Sequence, residues 1–177
     1  MPGKRQGEPR VTVTDTTVDR DAFLAAMRQV AATVTVVTTD GPAGRAGATV
    51  SAFTSLSADP PAVLVCLRAD SRIAQAVLEN RAFCVNVLPE DAADVARAFA
   101  GPTPDDPAER FRGLDVRTGP HGPLLPRATA FSCTLTEHLL HNTHAICIGA
   151  VRALAVAGEK PLTYLSGDFH RVRPHKG

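Results

Sequence analysis

Two strand-like stretches, the β-branched Val34–Thr39 and Ala48–Thr54, stand on either side of Asp40–Gly47, and no helix-length segment separates them. Val34-Thr35-Val36-Val37-Thr38-Thr39 is made of residues that pack well on a pleated surface. The intervening Asp-Gly-Pro-Ala-Gly-Arg-Ala-Gly is dense in turn formers. Strand, turn and strand at this spacing predict a β-hairpin. A chain that begins so is directed toward an antiparallel sheet.

The rest of the chain follows the same grammar. Asp59-Pro60-Pro61 predicts a break and then an extended entry into a third strand, Ala62–Leu67. Phe83–Leu88, Ala128–Leu140, His144–Val156 and Pro161–Leu165 read as further strands. Helix signals are short. Asp21 is placed to cap a helix reaching about Ala32, with Phe23, Met27, Val30 and Ala31 at helical spacing. Ser71 caps a second helix through Asn80, with Ile73 and Val77 on one face. A third, Asp91–Ala100, is stopped by Gly101 and Pro102. Pro102–Pro126 carries six prolines and reads as a long surface excursion, interrupted by Arg110-Phe111. About seven strands against three short helices favour a mainly β chain, an antiparallel barrel over a doubly wound parallel sheet. Residues 1–19 are expected to be a flexible tail, and residues 20–177 one domain.

Composition then removes whole classes of function. A net charge of +1 over 177 residues argues against a general nucleic-acid binder, which carries a basic face. No apolar run approaches the roughly 18 residues of a membrane span. The first twenty residues lack the apolar core of a signal peptide, so a cytoplasmic location is expected. Cys66, Cys84, Cys133 and Cys147 show no Cys-x-x-Cys spacing and lie in apolar runs, as buried inert thiols do.

Three familiar constellations are absent or misplaced. Gly41, Gly44 and Gly47 lie between two strands, where a dinucleotide fingerprint needs a strand and a helix, so they read as a turn. His138, His141 and His144 are spaced as His-x-x-His-x-x-His, but across strand, turn and strand their side chains diverge, and no metal site is expected. His144 differs from the other two because it opens a buried strand, where an imidazole usually has a partner or a task. There is no Gly-x-Ser-x-Gly elbow and no phosphate-binding Walker sequence.

The most specific stretch is Gly47–Leu67. It sets Thr49, Ser51, Thr54, Ser55 and Ser57 within nine residues and then stops at Asp59-Pro60-Pro61. Small hydroxyls on a strand leave backbone groups open to a flat polar ligand, and hydroxyls with unpaired N–H groups suit a phosphate. An edge strand with a polar solvent face fits the same residues.

These motifs, taken in order, resemble the short-chain flavin reductase family, the reductase components of two-component flavin-dependent monooxygenases. Phe23-x-x-x-Met27 with Ala32-Thr33-Val34-Thr35-Val36-Val37-Thr38 resembles its opening helix and strand. Thr49-x-Ser51-x-Phe53-Thr54-Ser55-Leu56-Ser57-x-Asp59-Pro60-Pro61 resembles its flavin-binding signature. Phe83-x-Val85-Asn86-Val87-Leu88, Phe99-Ala100-Gly101, Arg110-Phe111, His144-x-Ile146-x-Ile148-Gly149-x-Val151 and Pro161-Leu162-x-Tyr164 continue the pattern over roughly residues 20–170.

The resemblance implies a split β-barrel of Greek-key type that binds FMN or FAD near a homodimer interface. It implies hydride transfer from NADH, or NADPH, and delivery of diffusible reduced flavin to a partner monooxygenase. By position, Ala48, Thr49, Val50 and Ser51 line the flavin ring. Ser55 and Ser57 face the ribityl–phosphate end. Leu67, Arg68 and Ser71 lie near the phosphate, with Arg68 as charge partner. Asn86 and Val87 sit beside the flavin. His144 lies near the nicotinamide and is the catalytic candidate, orienting the carboxamide rather than moving a proton. With one Tyr and no Trp, ring stacking falls to backbone, Phe111 or Phe169.

Two departures touch the nicotinamide side. Asn142-Thr143 precede the histidine where the family often has Gly-Asp, and the C-terminal aromatic stands in Asp168-Phe169-His170-Arg171. An oxidase of the pyridoxamine-phosphate type would need a basic cluster that the matching segments lack. A non-enzymatic flavin-binding module is the other alternative.

Overall fold

The computed structural model describes residues 17–102 and 104–175. Residues 1–16 of the expected tail lie outside the described residues; 17–19 are exposed. Helix α1 spans Arg20–Met27 and is capped by Asp19 rather than Asp21: the Asp19 carboxylate accepts from the amides of Asp21 and Ala22 at 3.0 and 3.3 Å. It also ends five residues short of the expected Ala32. Its apolar face (Phe23, Met27) and Val30 beyond it are exposed, so this stripe does not join the core of its own chain.

The predicted hairpin forms. After the short strand β1 (Ala32–Thr33), β2 (Thr35–Thr39) pairs antiparallel with β3 (Ala46–Val50), with Thr35 opposite Val50. The stretch expected to run unbroken over Ala48–Thr54 is divided. β3 stops at Val50, and β4 (Phe53–Ala58) begins after Ser51-Ala52 and pairs with β5 (Pro61–Arg68). Helix α2 (Arg72–Asn80) starts as Ser71 predicts, its hydroxyl accepting from the Ala74 amide at 3.3 Å. β6 (Ala82–Val87), α3 (Ala93–Ala100) and a 3-10 turn at Pro107–Phe111 follow. Then come the long strands β7 (Thr129–His141) and β8 (His144–Ala155). β9 (Leu162–Leu165) and the unexpected β10 (Asp168–Arg171) close the chain, β9 pairing with β1 on one side and β10 on the other.

The main sheet is antiparallel, in the order β3-β2-β6-β7-β8-β5-β4. Its two edge strands are consecutive in sequence and joined only by Ser51-Ala52. That link, from Val50 to Phe53, spans at most about 11 Å. Laid flat, six inter-strand spacings would set the edges about 29 Å apart. The sheet must therefore curl until its edges approach without pairing, which is compatible with a barrel split between β3 and β4, as expected.

The barrel is filled by Val37, Val65, Leu67, Phe83, Val85 and Cys147, with Ile73 and Val77 of α2 packed against them. Gly149 is glycine because Phe83 Cζ would stand 2.4 Å from any Cβ there. A second core lies outside the barrel wall: Val36 and Leu88 meet Ala96 and Phe99 of α3, with Phe111 and Leu125 of the excursion. Burying a side chain such as Phe83 or Phe99 stabilises the fold by about 2–3 kcal/mol. The cysteines are unpaired and three are buried. Burial pushes the thiols of Cys84 and Cys133 up to about 12, which leaves them inert.

Candidate active site

The site grows from the open edge of β3. The Gly47 carbonyl accepts from Arg110 Nη1 at 3.0 Å, so it points away from β2. The Val50 carbonyl accepts from the Thr35 hydroxyl of β2 at 2.6 Å, so it points inward. Alternation along a strand then turns the N–H and C=O of Thr49 outward, in phase with Gly47.

At Gly47 this edge is sealed. Phe99 and Phe111 meet edge to face with centroids 5.0 Å apart, and a Cβ on Gly47 would lie 2.6 Å from Phe99 Cε1. Arg110 also donates to the Phe99 carbonyl at 2.6 Å and to that of Gly101, so one guanidinium gathers the end of α3 and the strand edge. Cations at a helix C-terminus are favoured by its dipole. Partial burial lowers the Arg110 pKa, and the side chain stays charged. Thr49 fixes α3 from below, its hydroxyl donating to the Ala96 carbonyl at 2.6 Å. From Thr49 to Ser51 the edge is uncovered and faces two adjoining chambers.

The first chamber, of about 380 Å³, is lined by Ala48, Thr49, Val50 and Ser51 on one side and by Leu67, Arg68, Ser71 and His144 on the other, with Cys66, Phe99 and Ala100 among the rest. The second, of about 360 Å³, shares Thr49, Val50 and Ser51 and is bounded by Arg97, Tyr164 and Phe169. Both fall within the range of small-molecule sites, about 300–1,000 Å³. Phe169 is held between neighbours: Tyr164 meets it edge-on at 5.5 Å, and the Arg97 guanidinium lies 5.2 Å from its centroid.

Charge concentrates at the mouth of the first chamber. Arg68 and His144 face each other across β5 and β8. The Arg68 guanidinium grips Asp70 through Nε at 3.1 Å and Nη2 at 2.7 Å. Arg68 holds the Asp70 carboxyl below the usual carboxylate range, with His144 adding to the effect. His144 Nδ1 lies 3.0 Å from the Thr143 hydroxyl, so Thr143, where the family often has Asp, bears on the ring's orientation.

The structure thus brings together nine of the expected residues: Ala48, Thr49, Val50, Ser51, Leu67, Arg68, Ser71 and His144 on the first chamber and Phe169 on the second. It separates five others from both chambers. Ser55 and Ser57 lie on exposed β4, and Ser57 Oγ accepts from the Asp59 amide within the hairpin turn.

Asn86 is fully buried and committed to structure. Its amide donates to the Val36 and Pro123 carbonyls and to the Thr38 hydroxyl, and its oxygen accepts from the Leu125 amide at 2.9 Å. It pins the excursion to the barrel instead of facing the cleft. Val87 pairs with Thr35 and Thr129 inside the sheet. Phe111 is buried beneath α3 rather than offered for stacking. Arg97 and Tyr164, which bound the second chamber, are among the lining residues that sequence reasoning did not assign to the site. Tyr164 stood in the quoted pattern, whereas nothing around Arg97 marks it.

Known proteins resemble this chain in sequence and in fold. The family described as "Flavin reductase like domain" matches residues 27–173. The chain is 41% identical over 162 residues to FMN reductase (NADH) RutF 2 of Methylorubrum extorquens (strain PA1), a match covering 89% of this chain and 91% of that one. It is 39% identical over 139 residues to FMN reductase (NADH) RutF of Escherichia coli (strain K12 / DH10B), covering 77% and 84%.

Among solved structures, the NADH:FAD oxidoreductase SgcE6 of Streptomyces globisporus C-1027 superposes with a TM-score of 0.83 at 28% identity, covering 94% of this chain and all, 100%, of that one. BorF, the flavin reductase component of a bacterial two-component tryptophan halogenase, superposes with a TM-score of 0.80 at 31% identity, covering 89% and 100%.

Proposed function

The chain belongs to the flavin reductase like domain family, and from that premise we propose that it is an NADH-dependent flavin reductase acting on FMN. The observation that carries this reading is the uncovered Thr49–Ser51 edge facing a chamber that ends at Arg68 and His144. A flat ring with donors and acceptors on its rim matches the outward N–H and C=O of Thr49 and the N–H of Ser51, whose carbonyl already accepts from the Phe53 amide at 3.0 Å, and a phosphate matches a guanidinium. The residues present therefore fit a flavin.

When bound, flavin supplies the two-electron acceptor chemistry, with reduced nicotinamide as donor. The chain's own residues have four tasks. Thr49 and Ser51 offer backbone donors where negative charge develops on a reduced ring. Arg68 meets the phosphate. Phe169, steadied by Tyr164 and Arg97, forms a wall of the second chamber, beside the Thr49–Ser51 edge along which the ring would lie. His144 orients the carboxamide and transfers no proton. The names of the RutF relatives support FMN with NADH; FAD and NADPH are the competing pair.

Delivery of the reduced flavin to a separate monooxygenase component is supported by relatives such as BorF. A homodimer is supported by the exposed Phe23, Met27 and Val30 beside a groove lined by Leu24, Met27, Phe53 and Tyr164, which reaches Ser51 at the cleft. Among the described residues no helix is long and apolar enough to cross a membrane, and a cytoplasmic location accords with the reading.

The test is NADH absorbance under air, with FMN or FAD crossed against NADH or NADPH. NADH consumption that needs both the protein and added FMN is expected. Flavin binding with no NADH consumption above the flavin-only rate would replace the reductase with a binding module.

A further inference from the structure

We infer that Asp70 limits how tightly the phosphate end of the flavin is held, by occupying the guanidinium of Arg68 that the phosphate would use. The inference rests on the flavin-reductase reading of the cleft and names the residue that loosens its grip.

Arg68 ends β5 at the mouth of the first chamber and is the one arginine lining it among the described residues. Asp70 does not line the chamber. Its two carboxylate oxygens nonetheless take Arg68 Nε at 3.1 Å and Nη2 at 2.7 Å. This is the two-pronged geometry in which a guanidinium recognises a phosphate. A phosphate approaching Arg68 must therefore displace Asp70 or accept the remaining N–H groups beside a second negative charge.

The pair is exposed, with side-chain exposures of 70% and 69%. Exposed pairs contribute little to stability, so holding the fold does not account for it. The turn carrying Asp70 is fixed by backbone: the Ala69 amide donates to the Thr143 carbonyl at 2.9 Å, and the Ser71 amide to the Arg68 carbonyl at 3.0 Å. Removing the carboxylate charge leaves that turn in place and frees Arg68. Asp70 is thus a positioning residue acting through Arg68, and its chemistry suits an enzyme whose product must leave.

The test is fluorescence titration of FMN and of riboflavin, which lacks the phosphate, into wild-type protein, Asp70→Asn, Arg68→Ala and the double variant at low salt, with NADH consumption measured alongside. Asp70→Asn should tighten FMN about two- to fivefold, leave riboflavin unchanged, and give no tightening when Arg68 is already Ala. Three results would overturn the inference while leaving the reductase intact: unchanged FMN affinity, a parallel shift for riboflavin, or full tightening in the Arg68→Ala background. Wild-type protein that neither binds FMN nor consumes NADH with it overturns both the reading and the inference.

Discussion

The two ends of strand β3 lie a few residues apart and have opposite fates. At Gly47 the edge is capped by aromatic rings and the Arg110 guanidinium. At Thr49–Ser51 the same edge is bare and opens onto both chambers. An exposed strand edge is a hazard that folded proteins usually cover. Here a helix covers one end and the other is left free, the arrangement expected of a strand that lends its edge to a ligand. The contrast separates residues that hold the barrel from residues that work on it.

If that division is right, substitutions on the sealed side act on stability and those on the open side on turnover. The largest effect belongs to Asn86→Ala. It strands the buried Leu125 amide and frees the excursion, with an expected loss of about 3 kcal/mol in denaturant unfolding; a loss below about 1 kcal/mol would mean that water or a neighbour replaces the amide.

Gly47→Ala comes next. Its Cβ would lie 2.6 Å from Phe99 Cε1, and overpacking of this kind costs about 1–3 kcal/mol. The melting temperature should fall by about 2–4 °C for each kcal/mol lost.

On the open side, His144→Ala should leave unfolding within about 0.5 kcal/mol of wild type, as exposed substitutions do. The KM for NADH should rise about tenfold, equivalent to about 1.4 kcal/mol of lost binding. Unchanged kcat and KM would remove His144 from the nicotinamide site.

The smallest effect concerns Asp91, whose carboxylate Arg127 holds below its usual range. A depressed carboxylate contributes stability above its unfolded value of about 3.9 and loses it as pH falls through the lower folded value. Asp91→Asn should therefore lower the melting temperature slightly at pH 7, and by less as the pH falls below about 3.9.

Much of this was legible in the residues, for identifiable reasons. The β2–β3 hairpin follows from β-branched runs around a glycine-rich turn, and α2 from Ser71 before an apolar face, because both signals are local. The break at Ser51-Ala52 was not legible. The hydroxyl-rich run is continuous in character, and only the curl of the sheet demands that it change edges. β10 escaped because Asp168-Phe169-His170-Arg171 has no alternation to read. Asn86 and Phe111 were assigned to the flavin by resemblance, but their burial depends on where Pro123, Leu125 and Phe99 arrive from distant parts of the chain. Arg110 was quoted only as a match. Its work on three backbone carbonyls leaves no trace in composition, since any residue supplies a carbonyl.

The central claim is that flavin lies along the bare end of β3. Amide hydrogen exchange with and without FMN, resolved to single residues, tests it most directly. The account predicts that FMN slows exchange at Thr49 and Ser51 and leaves Ala46 and Gly47, already sealed, unchanged. Protection confined to other parts of the barrel, with Thr49 and Ser51 exchanging as before, would contradict it.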